Sequence, residues 1–200
     1  MSTPPAARRA ARSTDDRRQA LVRAAFNEIA ERGFEGLRTR EVAAEVGVNI
    51  ATLHYHFPSK EALIRAVLEL AMQRFRSTLK SHGSPADQLR NHLRAVRKLL
   101  SDEPQLGAVM AELTLRSARD PSIAGIMAET YEAWHRMVRG LLRRAAREGH
   151  VGPELDSDDV AAIVVATLTS MTLPAAPGAD RAGRAVRQLE RWLGIADPSN

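Results

Sequence analysis

The side chains with the most chemical potential lie in one short stretch, residues 39–60. It contains hydroxyl, guanidinium, phenol and ammonium groups on Thr39, Arg40, Thr52, Tyr55 and Lys60. Arginine can form two hydrogen bonds with a guanine edge or a phosphate, and a lysine ammonium binds phosphate as a point charge. These residue types are therefore typical of a surface that binds a polyanion.

Two other clusters contain metal-ligating side chains, but their spacing favours structural roles. His54 and His56 are two residues apart, so on a helix they would point about 200° apart and could not share a metal ion. Asp156, Asp158 and Asp159 have the composition of a metal site, yet they precede an apolar helical run and suit a helix N-cap. We expect no metal site and no cofactor.

Catalysis finds no support in the sequence. The chain has no cysteine, and it lacks the nucleophile-elbow, phosphate-loop, zinc-protease and dinucleotide-binding motifs. We therefore expect no catalytic residue and no enzyme activity.

No apolar run resembles a signal peptide, and the longest, residues 160–173, is too short and too interrupted to span a membrane. The expectation is a cytoplasmic protein with no membrane partner.

The elements that must position the 39–60 stretch are all helices. Apolar residues recur at the helical period, as Val22, Ala25, Phe26 and Ile29 do, and strand signals are absent. Thr14 and Gly33 are the predicted cap and stop of the first helix. The predicted helices span about 15–32, 39–47, 49–57, 60–81, 85–101, 104–118, 121–148, 158–173 and 180–193.

Residues 39–57 have the spacing of a helix-turn-helix. Its small core would consist of Val42, Val46, Val48 and Leu53. Ala43 would let the two helices cross closely, and Gly47 would make the turn. Two helices that cross in this way leave the outer face of the second free to enter the major groove of DNA. The formal net charge of +5 is compatible with that partner.

This stretch resembles the TetR family of bacterial transcriptional regulators. The resemblance rests on Leu37–Arg40, Val48–Phe57, Pro58–Leu63 and, in the first helix, Phe26–Phe34. It is specific over residues 15–70 and only architectural beyond residue 84. It implies an all-α fold, in which a long helix joins an N-terminal three-helix DNA-binding domain to a C-terminal bundle for ligand binding and dimerisation.

The expected domain bounds follow from that resemblance and from local composition. Residues 1–13 are predicted to be a disordered basic tail, residues 14–60 the DNA-binding domain, and residues 61–200 the effector-binding and dimerisation domain. The arginines of residues 8–18 could belong to a mobile tail or to an arm that orders in the minor groove.

The resemblance also implies roles for individual side chains. Arg40 would contact either phosphate or a guanine edge, Tyr55 would contact the DNA backbone or act as a core-edge aromatic, and Lys60 would bind phosphate or be a solvated cap residue. His54 stands where the family usually has tyrosine, and Ala51 where it often has glycine or proline. The predicted DNA-binding residues are Thr39, Arg40, Asn49, Ile50, Ala51, Thr52, His54, Tyr55, His56 and Lys60.

The C-terminal helices are expected to hold a pocket and a subunit interface. Methionines and aromatics would suit a hydrophobic, cationic or planar ligand. The predicted pocket residues are Met110, Leu113, Tyr131, Trp134, Met137 and Val138, with His92, Glu112, Arg116, Glu129 and His135 as candidate polar contacts. The predicted interface of the homodimer is Val160, Ile163, Val164, Leu168, Met171, Val186, Leu189 and Leu193. The alternative is that the helix over residues 158–173 is only an interior helix of a monomer.

The function that follows is a transcriptional regulator. We expect a repressor that binds a pseudo-palindromic operator in double-stranded DNA and is released by a small-molecule effector. The alternative is a helical ligand-binding or interaction module that no longer binds DNA specifically.

Overall fold

The computed structural model describes residues 5–79, 82–152, 154–173 and 179–196, and none of these residues forms a strand. The all-α prediction is therefore confirmed. The helices are α1 (Pro5–Gly36), α2 (Thr39–Glu45), α3 (Ile50–His56), α4 (Lys60–Ser77), α5 (Pro85–Asp102), α6 (Pro104–Ser117), α7 (Pro121–Arg147), α8 (Ser157–Ser170) and α9 (Ala179–Trp192).

Helix α1 begins at Pro5, so the predicted start at residue 15 is wrong. Residues 5–13, which the sequence assigned to a disordered tail, belong to this helix. The physical reason is that alanine and arginine are strong helix formers and proline is favoured at a first helical position. Gly33 has a φ of 71°, which interrupts the helical geometry at the predicted stop.

Side-chain caps define several of the other helix starts. Ser84 and Asp87 form a reciprocal capping box at α5, and Asp120 caps α7. Asp156 accepts hydrogen bonds from the backbone N–H groups of Asp158 and Asp159, which confirms the capping interpretation of this acidic cluster. The same two bonds, that from Asp159 first, lower the pKa of the Asp156 carboxyl.

The chain divides into two compact units, Met1–Ala71 and Met72–Asn200, and the division falls inside α4. This lies later in the chain than the predicted division at residue 60. Leu63, Ile64 and Val67 of α4 are buried and belong to the first unit. None of the described helices is both long and apolar enough to cross a membrane.

The core of the second unit is built from α5, α7, α8 and α9. It contains most of the residues that the sequence assigned to a subunit interface, so that assignment is wrong for them. Apolar residues at the helical period predict that a helix face is buried, but they do not show whether its own subunit or a second one covers that face. Only Ile163 of that set is exposed, at 45%, and Met171 is half-buried. The six that lie in this core are Val160, Val164, Leu168, Val186, Leu189 and Leu193.

An ion pair between Arg94 and the buried Glu190 joins α5 to α9 within this unit. One edge of the Arg94 guanidinium bonds to both carboxylate oxygens: Nε donates to Oε1 of Glu190 over 2.8 Å, and Nη2 donates to Oε2 over 2.7 Å. Glu190 is almost fully buried. The two-point geometry supplies the compensation that a buried carboxylate requires.

Candidate nucleic-acid interface and ligand cavity

Helices α2 and α3 pack closely through small and branched residues. Val42, Ala43 and Leu53 are buried, and the N–H of Val48 donates to the carbonyl of Ala43 over 3.0 Å. Gly47, between the helices, has a φ of 71°, a backbone angle that residues other than glycine rarely adopt. The sequence-predicted helix-turn-helix geometry is therefore present.

Asn49 fixes the start of α3. Its Oδ1 accepts hydrogen bonds from the backbone N–H of Thr52 over 2.8 Å and from the Thr52 hydroxyl over 3.0 Å. Two of the predicted DNA-binding side chains are thus joined in an N-cap. This pair sets the direction in which the short helix leaves the turn.

The outer side of the α2–α3 pair exposes the other predicted contact residues. Tyr55 is 78% exposed, and Arg40, Ala51 and His54 are exposed too. No described residue forms a hydrogen bond or an ion pair with Arg40. The half-buried members of the predicted set are Thr39, Ile50, Thr52, His56 and Lys60.

Arg32 pairs with two carboxylates of the first unit. It lies 2.6 Å from Glu41 of α2 and 3.4 Å from Glu28 of α1. Arg40, the neighbour of Glu41, is exposed and forms no such pair among the described residues. An exposed guanidinium of this kind favours an anionic partner.

Two cations lie over aromatic rings of the first unit. The ammonium of Lys60, the first residue of α4, is 4.9 Å from the centre of the Phe34 ring. The guanidinium of Arg18 is 5.1 Å from the centre of the Phe57 ring, a placement that no pattern in the sequence indicated. Cation–π contacts of this kind hold a charge in place while leaving it able to interact with a phosphate.

The second unit encloses a cavity of about 390 Å³ between α4, α5, α6, α7 and α8. Its volume lies within the range of small-molecule sites. The wall is formed by Met72, Phe75, Arg76, Leu79, His92, Met110, Glu129, Thr130, Tyr131, Ala133, Trp134, Met137, Leu168, Thr169 and Thr172.

The sequence predicted part of the lining of this cavity. Met110, Tyr131, Trp134 and Met137 line it, as do the polar candidates His92 and Glu129. Among the other candidates, Leu113 and Val138 are fully buried in packing elsewhere, and Glu112, Arg116 and His135 are absent from the lining. The sequence missed the lining contributed by α4 and α8, chiefly Met72, Phe75 and Leu168.

A directed chain of hydrogen bonds runs along one side of the cavity. The indole N–H of Trp134 donates to Nε2 of His92 over 2.8 Å, and Nδ1 of His92 lies 2.9 Å from the hydroxyl of Thr78. Because an indole can only donate, Nε2 must be unprotonated and Nδ1 must carry the proton. The Thr78 hydroxyl accepts from Nδ1 and donates to the carbonyl of Phe75 over 2.6 Å.

This chain connects three helices around a neutral imidazole. It joins α7 and α5 to the turn that follows α4, and both Trp134 and Phe75 face the cavity. Burial lowers the pKa of His92 to about 4, so the ring is uncharged at neutral pH.

Comparison with known proteins agrees with both halves of this description. Residues 21–67 match the model of bacterial regulatory proteins of the tetR family, and residues 79–189 match the model of the tetracyclin repressor-like C-terminal domain. A curated relative, the HTH-type transcriptional repressor KstR2 of Mycobacterium tuberculosis, is 26% identical over 154 residues, covering 75% of this chain and 76% of that protein.

Solved structures share the fold over nearly the whole chain. A TetR-family regulator from Rhodococcus sp. superposes with a TM-score of 0.78 at 23% identity, covering 90% of this chain and 99% of that one. AibR, solved in complex with isovaleryl coenzyme A and operator DNA, gives 0.67 at 19% identity, covering 89% and 98%. With the second family model alone matching more than half of its residues, the chain belongs to the TetR family of bacterial regulatory proteins.

Proposed function

We propose that this protein is a cytoplasmic homodimeric repressor that binds a pseudo-palindromic operator and releases it when a small molecule enters the cavity. Residues 14–60 supply the DNA-binding surface, and residues 61–200 hold the effector and contact the second subunit. The observation that carries the proposal is the outer face of α2 and α3, where Arg40 and Tyr55 are exposed beside a buried helix-turn-helix core.

Related proteins support the regulatory part of the proposal. KstR2 is described as a transcriptional repressor, and AibR was solved with both an acyl coenzyme A and operator DNA. A cavity in this chain's second unit is the counterpart of a ligand site in such a regulator. Effector binding would favour a conformation with lower operator affinity, which is an energetic coupling between two sites.

The exposed side of α8 supports the dimer. Ala162, Ile163 and Ala166 are exposed there, next to a shallow apolar groove between α7 and α8. Leu173, three residues after the end of α8, is exposed too and lines the same groove. Contiguous apolar surface of this kind is typical of a subunit interface. These residues replace the buried set that the sequence predicted.

The test is fluorescence anisotropy of the purified protein on duplexes from the region upstream of its own gene, at two salt concentrations. We expect saturable, sequence-selective binding that weakens steeply as salt rises. Arg40→Ala and Lys60→Ala should each reduce affinity about tenfold or more. Arg119→Ala removes the same charge from an exposed turn of the second unit and should change affinity less than about twofold.

Weak binding that is equal for every duplex would contradict operator recognition. That result would favour the alternative module, in which the helix-turn-helix no longer reads DNA. An unchanged affinity in both Arg40→Ala and Lys60→Ala would instead overturn the assigned surface.

A further inference from the structure

Most of the uncharged polar groups on the cavity wall are already bonded within the protein. Trp134 donates to His92, whose other nitrogen bonds to Thr78. The Tyr131 hydroxyl lies 3.2 Å from the hydroxyl of Thr114, and the Thr130 hydroxyl donates to the carbonyl of Ile126. A ligand with several hydrogen-bond acceptors would therefore find few free donors on this wall.

The charged groups of the lining lie toward solvent. Arg76 and Glu129 are both exposed, and the one titratable group buried in the lining, His92, is neutral at physiological pH. The interior is formed mainly by Met72, Phe75 and Met137 with neighbouring apolar side chains. An ion placed there would lose its hydration without gaining a counter-charge, which costs far more than apolar contact returns.

We propose that the effector is an uncharged, largely apolar molecule. This inference rests on the proposed function, because it takes the cavity to be the effector site. It excludes the cationic class that methionines and aromatics alone would also suit. Met72, Met110 and Met137 add a wall that adapts to the shape of the hydrocarbon part.

The experiment uses three probes that share an eight-carbon chain: 1-octanol, octanoate and octyltrimethylammonium. The chain has two tryptophans, and Trp192 is half-exposed, so the full-length Trp192→Phe protein reports from Trp134 alone. Each probe is titrated at pH 7 while Trp134 fluorescence is followed. We expect octanol to bind at least about tenfold more tightly than either ion, because only the alcohol enters without an uncompensated charge.

Two variants place the binding in this cavity. Ala133→Phe narrows the lining and should weaken octanol binding at least about fivefold, whereas Ala118→Phe adds the same ring at an exposed position outside it and should not.

The outcomes separate this inference from the proposed function. Octanoate or octyltrimethylammonium binding as tightly as octanol, or no fluorescence response to any probe, would overturn the inference. Unchanged octanol affinity in Ala133→Phe would overturn the assignment of this cavity as the binding site. Operator binding is measured on the ligand-free protein, so its failure would reject the repressor and leave the probe result intact.

Discussion

His92 shows how burial of one side chain makes stability depend on pH. Its folded pKa of about 4 lies below the value of about 6.5 expected in the unfolded chain, so unfolding takes up a proton between these pH values. The contribution of His92 is fully present above pH 6.5 and is lost as pH falls toward 4. The groups that bond to the ring, from Thr78 and Trp134, carry no charge that would offset this effect.

We therefore predict that the free energy of unfolding falls by about 2 kcal/mol more between pH 7 and pH 5 in the native protein than in His92→Gln. Urea unfolding at the two pH values measures the difference. His54→Gln removes an exposed histidine and should keep the native pH dependence. If His92→Gln kept the pH dependence of the native protein's unfolding free energy, the imidazole of His92 would not be the group responsible for it.

Residue types identified part of the cavity lining and could not identify the rest. Met110, Tyr131, Trp134 and Met137 were found because large flexible and aromatic side chains on consecutive helices suggest a lining. Val138 follows Met137 on α7 yet is fully buried, since one helical step moves a side chain about 100° around the axis. Phase along a helix is visible in a sequence, but the identity of the facing helix is not.

At the scale of elements, the start of α3 connects local structure to DNA binding. The amide oxygen of Asn49 accepts hydrogen bonds from both the backbone N–H and the hydroxyl of Thr52. Because α3 has only seven residues, this cap contributes a large share of the stability of the helix. We predict that Asn49→Ala lowers stability by about 1 kcal/mol and weakens operator binding. Thermal unfolding and duplex anisotropy measure the two effects.

Asn49→Ser separates the cap from a direct contact with DNA. Serine keeps the capping oxygen and loses the amide. If Asn49 acts through the cap, Asn49→Ser restores both stability and operator affinity. Restored stability with operator affinity as low as that of Asn49→Ala would mean that the amide itself contacts DNA.

Element starts were predictable where a cap or a proline marks them, and less so elsewhere. The capped starts of α5, α7 and α8 lie within about one residue of the predicted positions. The start of α1 was missed because Thr14 has the type of an N-cap, while the alanine- and arginine-rich residues before it favour continuing the helix. The capping signal of Thr14 and the helix propensity of the preceding residues therefore predict different starts, and the sequence alone does not decide between them.

At the scale of the whole molecule, the question is which apolar surface remains for a second subunit. The core of the second unit already buries Val164 and Leu168 of α8 and Val186 of α9. The other side of α8 exposes Ile163 between Ala162 and Ala166, where small neighbours permit a partner helix to approach. A regulator that reads two half-sites needs this second copy, since each subunit supplies one recognition helix.

We predict that Ile163→Glu makes the protein monomeric at micromolar concentration and lowers operator affinity at least about a hundredfold, because each subunit then binds a half-site alone. Sedimentation velocity and duplex anisotropy report the two effects. Leu115→Glu is the matched control, since Leu115 is 63% exposed on α6, away from α8, and the same substitution there should leave a dimer. A dimer that survives Ile163→Glu with full operator affinity would place the interface on another face, because a carboxylate buried against an apolar partner without a counter-charge is too costly to retain.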